Sequence, residues 1–108
     1  MTPKDYIKFH EECCKRMIEI TRRKNHDYVG DSNSAFSNFE RVYSMGICSP
    51  EIGFLTRMLD KFCRLVSFVQ LGVLLVKDES LEDTALDLAN YCILFAGYVR
   101  SKKKVNKK

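Results

Sequence analysis

Apolar positions recur at helical spacing along most of this chain. Tyr6, Cys13, Met17 and Ile20 mark one stripe with His10 in line, so a helix is expected from Thr2-Pro3 to about residue 24. Thr2 reads as its N-cap, with proline at the first helical position. Gly30, Asp31, Ser32, Asn33 and Ser34 then break the pattern with turn chemistry. A short helical piece fits residues 36–43, and Gly46 to Pro50 interrupts again. Ser49-Pro50-Glu51 opens a second long helix, expected to reach residue 71 and stop at Gly72. Only the run from Val73 to Val76 could pass for a strand. Ser80 and Asp83 resemble a capping box and open a last helix to about residue 103. The predicted fold class is all-α, a small bundle of three long helices plus a short helix and a polar, aromatic loop. Residues 1–100 read as one domain and 101–108 as a basic, flexible tail.

Two helices could carry chemistry. In GFLTRMLDKFCRLVSF, Arg57, Asp60, Lys61 and Arg64 form one stripe. Leu55, Met58, Leu59, Phe62, Leu65, Val66 and Val69 lie on the other side. An amphipathic helix with a solvated polar face and an Asp60–Arg64 pair accounts for this pattern. Phe54 and Phe68 fall near the polar stripe, which suggests that its ends meet protein or a ligand.

In ESLEDTALDLANYCILFAGYV, Glu79, Asp83, Asp87 and Asn90 share one sector of the helical wheel. The same sector carries Leu94 and Tyr98 further on, so the acids are expected to point into the bundle. From Tyr91 the helix is apolar all round, which predicts that its second half is buried. Acids near a helix N-terminus complement the macrodipole, which covers Glu79, Glu82 and Asp83 but leaves Asp87 too deep. No Lys or Arg lies between Lys77 and Arg100 to neutralise it. Lys61 and Arg64 are one source of positive charge, and a divalent ion is the other, since Mg²⁺ favours carboxylate oxygens.

Composition adds limits rather than direction. The net charge of +4 includes five lysines in the terminal SKKKVNKK, and the rest of the chain carries −1. Nucleic acid is therefore a minor expectation, confined to the Lys-rich tail. Five cysteines with no CxxC or His spacing read as reduced thiols filling core space, which points to a cytoplasmic setting. No apolar run is long enough for a membrane span.

The order K-x-x-DY, F-x-NFE, RMLDKFCRL and DES-x-x-DT-x-x-DLANY, over residues 20–98, resembles the phage-associated nucleotide modification associated domain, type one. The layout is also similar to the all-α nucleoside triphosphate pyrophosphohydrolases, the MazG and dimeric dUTPase group. Those enzymes hold Mg²⁺ on an EExxE motif and an ExxD motif. Here Lys15 stands where the third acid of Glu11-Glu12-Cys13-Cys14-Lys15 would be, and Glu79 and Asp83 are four apart.

The resemblance implies a phage-type nucleotide-handling protein. Glu79, Asp83 and Asp87 would hold Mg²⁺ and serve as the catalytic carboxylates. Lys24, Lys61 and Arg64 would meet phosphates. Asp27, Asn38 and Glu40 would hydrogen-bond a base or ribose, and Tyr28, Phe36 and Phe39 would stack on or wall off a ring. Arg57, Asp60, Asn90 and Tyr91 complete the nucleotide-binding candidates; Asp78, Ser80, Thr84 and Leu88 also match the pattern. One reading is a Mg²⁺-dependent pyrophosphohydrolase of (deoxy)nucleoside triphosphates. A second is a binder that sequesters a nucleotide without turnover, and a third is a small interaction module. The loop also has a plain reading, in which Phe36 and Phe39 plug the core and Asp27 and Asn38 cap helices. His10 is expected to pack on the bundle and His26 to lie at the surface. Self-association into a homo-oligomer is expected from the number of Phe and Tyr.

Overall fold

A computed structural model describes residues 1–24, 34–72 and 80–106, with side chains to 103. Among the described residues four helices follow in order: α1 Pro3–Lys24, α2 Ser37–Ser44, α3 Pro50–Leu71 and α4 Leu81–Asn106. The expected all-α class is what the chain adopts. Asp27, Tyr28, His26 and the run Val73 to Val76 lie outside the described residues, as does Glu79. Contacts divide the chain into two units, Met1–Ala35 and Phe36–Lys108.

Local chemistry sets the helix ends. At α1, the Asp5 N–H donates to Thr2 Oγ1 at 3.1 Å and the Thr2 backbone N–H donates back to Asp5 Oδ2 at 3.3 Å. Ser49 caps α3, accepting from the Ile52 N–H at 3.2 Å, with Pro50 just inside. Gly72 closes α3 in the left-handed region at φ 73°, its N–H donating to Phe68 O at 2.7 Å. Ser80 caps α4, accepting from the Asp83 N–H at 2.9 Å. The far end of α4 differs from the expectation. The helix continues through the lysines to Asn106, so residues 101–106 are helical rather than a frayed tail. Lysine is a good helix former, and positive charge complements the C-terminal end of the macrodipole.

Within the first unit, α1 buries Cys13 and half-buries Phe9, Met17 and Ile20. His10 is exposed, so it does not pack into a core; its ring stands 6.2 Å from that of Tyr6, itself half exposed.

The second unit is built on an aromatic cluster of Phe39, Phe54 and Tyr98, with Phe36, Tyr91, Leu94 and Phe95 packed against it. Phe54 is fully buried. Phe39 of α2 stacks on it at 3.8 Å between centroids, and Phe95 and Tyr98 of α4 lie 5.3 Å away. A Cβ at Gly53 would come within 3.1 Å of Phe39, so glycine permits the close approach of α2 to α3.

Helices α3 and α4 pair antiparallel. Glu51 meets Tyr98, Phe54 meets Phe95, Met58 meets Cys92 and Lys61 meets Asp87. The seam on α3 is Phe54, Met58, Lys61, Leu65 and Phe68, all buried or half-buried. On α4 it is Thr84, Asp87, Tyr91, Leu94 and Tyr98. Both seams alternate steps of three and four residues, the spacing that keeps one helix face against a partner.

The burial of α3 corrects the sequence expectation. Leu55, Leu59, Phe62, Val66 and Val69 were expected inside but are exposed by 49, 59, 54, 36 and 77%. The helix carries apolar residues on two adjacent sides, and α4 packs on the side that also holds Lys61. The second half of α4 is likewise buried on one side only, with Cys92, Ile93, Ala96 and Val99 exposed.

Tyr98 gives the second unit a pH dependence. Its hydroxyl donates to Glu51 Oε1 at 3.2 Å, and Lys102 Nζ lies 5.6 Å from its ring centroid. Burial raises the phenol pKa above its ordinary value of 10.0; the Glu51 carboxylate adds to the rise and Lys102 opposes it. A raised acid pKa favours the protonated form in the folded state. The stabilisation is therefore complete below pH 10.0 and is lost as pH rises through the folded value. Thermal melts above pH 10.0 should fall more steeply for the wild type than for Tyr98→Phe, which cannot ionise. Equal slopes would remove Tyr98 as the cause.

Candidate functional site

The polar residues that sequence reasoning singled out converge in part, at the middle of the α3–α4 seam. Lys61 Nζ lies 3.4 Å from Asp87 Oδ2, with side chains 16 and 23% exposed. This pair answers the question raised by Asp87. The carboxylate sits too far along α4 to be held by the helix dipole, and Lys61 from the facing helix supplies the positive charge. Arg64 Nη2 lies 3.5 Å from Asp60 Oδ2 one turn away on α3, as the spacing predicts. This second pair is more exposed, so it contributes little on its own.

Around them, Asp83 is half-buried one turn before Asp87, and Asn90 and Tyr91 are half-buried one turn after it. Thr84, between the acids, is completely buried, and its hydroxyl donates to Ser80 O at 3.2 Å. Sequence reasoning gave Thr84 no role.

The other candidates separate into core and surface. Phe39 is 9% exposed with one ring face against Phe54, and Phe36 makes edge contacts with Phe54 and Tyr98 at 6.5 and 5.6 Å. These are the contacts of the core reading, in which both rings plug the bundle. Stacking of a nucleobase on the occupied face of Phe39 would require Phe54 to move. Tyr91 also packs against the aromatic cluster. Asn38, Glu40 and Arg57 are exposed. Lys24 is half-buried and belongs to the first unit.

Among the described residues, no group of three His, Cys, Asp or Glu side chains could hold a metal ion. As arranged, the positive charge beside Asp87 is the Lys61 ammonium. Cys13, Cys14, Cys48, Cys63 and Cys92 are all free thiols, as expected, although Cys63 and Cys92 are exposed rather than core-filling. Among the described residues, no helix is long and apolar enough to cross a membrane.

Fold and seam together define a small helical protein built on an antiparallel helix pair, with a charged couple inside an otherwise apolar and aromatic contact. Compared with known proteins, the chain matches no family model, no curated protein and no solved structure.

Proposed function

We propose that this chain is a nucleotide-binding protein that recognises phosphate through Lys61 and Arg64, without turnover as its main activity. The observation that carries the reading is the Lys61–Asp87 pair at 3.4 Å. It holds an ammonium, 16% exposed, in the seam, one turn from a guanidinium that can grip a phosphate with two hydrogen bonds. A phosphate group offers both cations a stronger partner than either carboxylate does. Binding exchanges the internal pairs for external ones, and Asp87 is then released. The phage-type setting rests on the sequence resemblance.

The hydrolase reading ranks second. It asks Asp83 and Asp87, with Glu79, to hold Mg²⁺, and Asp87 already has a cationic partner. No step of the proposal runs through a metal.

The test is thermal melting of the full chain with dATP, dCTP, dGTP, dTTP and dUTP, each with and without Mg²⁺. A ligand at about 100 times its Kd raises stability by about 2.7 kcal/mol. The expected result is a shift with at least one nucleotide, without any need for Mg²⁺. The shift should vanish in the double variant Lys61→Met with Asp87→Leu, which keeps the helix pair. A shift that requires Mg²⁺, accompanied by pyrophosphate release, would replace the proposal with the hydrolase. No shift from any nucleotide would overturn both.

A further inference from the structure

Beyond Asp87 the chain holds no acid, and its last nine residues hold six cations: Arg100, Lys102, Lys103, Lys104, Lys107 and Lys108. Without those six the net charge of +4 becomes −2. Helix α4 runs through this stretch to Asn106, so the basic residues continue a helix that the aromatic cluster anchors. Tyr98 is buried just before them, and its hydroxyl is tied to Glu51 at 3.2 Å.

Helical geometry sorts the cations. Lys102 stands one turn beyond Tyr98, with its Nζ 5.6 Å from the centre of that ring. Positions 100, 103 and 104 fall within an arc of about 100°, centred opposite Tyr98. They form one basic row on the side of α4 away from α3. Arg100 and Lys103 are exposed, and among the described residues neither has an ion-pair partner. Helix α1 carries seven cations against four acids, so it is no counter-charge for this row. The macrodipole favours cations in the last turn, which covers Lys103 and Lys104 but leaves Arg100 too early.

We propose that this row docks on the phosphate backbone of double-stranded DNA without reading its sequence. Charge complementarity carries the proposal. A duplex bears one negative charge per ~1.7 Å of its axis. Positions 100 to 104 set three cations along about 6 Å of helix, close to that density. The residue types narrow the occupant further. No aromatic follows Tyr98, so the row has nothing to stack on the bases of a single strand. Val105 is the one apolar residue after Val99, so the stretch lacks the row of Trp, Phe or Leu that a membrane-surface helix buries. The proposal is separate from phosphate recognition by Lys61 and Arg64, which lie on α3.

The experiment is fluorescence anisotropy of a labelled DNA duplex of about 20 base pairs, titrated with the full chain at ~0.15 M salt. The expected Kd lies between about 1 and 100 µM and is equal for two unrelated sequences. A plot of log affinity against log salt should have a slope of about −3 or steeper. The triple variant Arg100→Gln, Lys103→Gln, Lys104→Gln should keep its helix content by circular dichroism, bind at least about 10-fold more weakly and flatten that slope by about 2.7. Lys61→Met with Asp87→Leu should bind the duplex as the wild type does, which separates this row from the nucleotide site. Should the glutamine variant lose helix content, the wild-type slope decides, and one shallower than about −2 overturns the proposal. No binding at about 100 µM, unchanged affinity in the helical glutamine variant, or loss of duplex binding in the Lys61–Asp87 variant would each overturn it. So would tighter binding of the single strand, or binding to phosphatidylserine vesicles that the duplex does not compete away.

Discussion

Replacing Phe54 with alanine should cost the second unit about 4 kcal/mol, the scale of a buried Phe truncation. The residue is fully buried and sits at the centre of the aromatic cluster. Phe39, Phe95 and Tyr98 all pack on its ring, at 3.8, 5.3 and 5.3 Å. Removing it takes one wall from the α2–α3 and α3–α4 contacts at once. The neighbours are themselves rigid rings, so they cannot collapse into the space as flexible side chains would. A chain of 108 residues has a total stability of about 5–15 kcal/mol, so the variant should stand close to unfolding. Met45→Ala, at a site 68% exposed just beyond α2, should change stability by less than about 0.5 kcal/mol. Urea titration followed by circular dichroism measures both. A Phe54→Ala loss below about 2 kcal/mol would mean that the cluster is not the structural centre of the unit.

The second large effect concerns the Lys61–Asp87 pair. Asp87→Ala leaves the Lys61 ammonium, only 16% exposed, without the partner 3.4 Å away. The cost should be about 2 kcal/mol, less than for a fully buried pair because water still reaches both side chains. Lys61→Met should cost a similar amount for the converse reason. The double variant Lys61→Met with Asp87→Leu should return to within about 1 kcal/mol of the wild type or exceed it, because the seam then becomes continuously apolar. The sum of the single losses should therefore far exceed the loss of the double. Urea unfolding of the four proteins measures this directly. Additive losses would show that the two groups do not act on each other.

Much of the fold was legible because its signals are local. Ser49-Pro50 and Gly72 place α3 to the residue, since a hydroxyl cap, a fixed φ and a left-handed stop each act within one turn. Thr2-Pro3 and Ser80 place the starts of α1 and α4 in the same way. The Asp60–Arg64 pair was legible for the same reason, being one helical turn apart. The inward direction of Asp87 was legible too, because it shares its sector with Leu94 and Tyr98. Phe36 and Phe39 were open to two readings, since an aromatic in a turn-rich loop looks alike whether it meets a base or a neighbouring helix.

What the sequence by itself determined, then, is the set of helices, where most of them begin and end, and that Asp87 turns inward. Only the tertiary structure decided which side of α3 is inside. Apolar residues run along two adjacent sides of that helix, and hydrophobic periodicity cannot choose between them. The choice came from across the seam. Phe95 and Tyr98 offer rings to Phe54, and Asp87 neutralises Lys61. A lysine that helical geometry alone assigns to solvent was thereby drawn into the contact, and a row of leucine, phenylalanine and valine side chains was left facing outward.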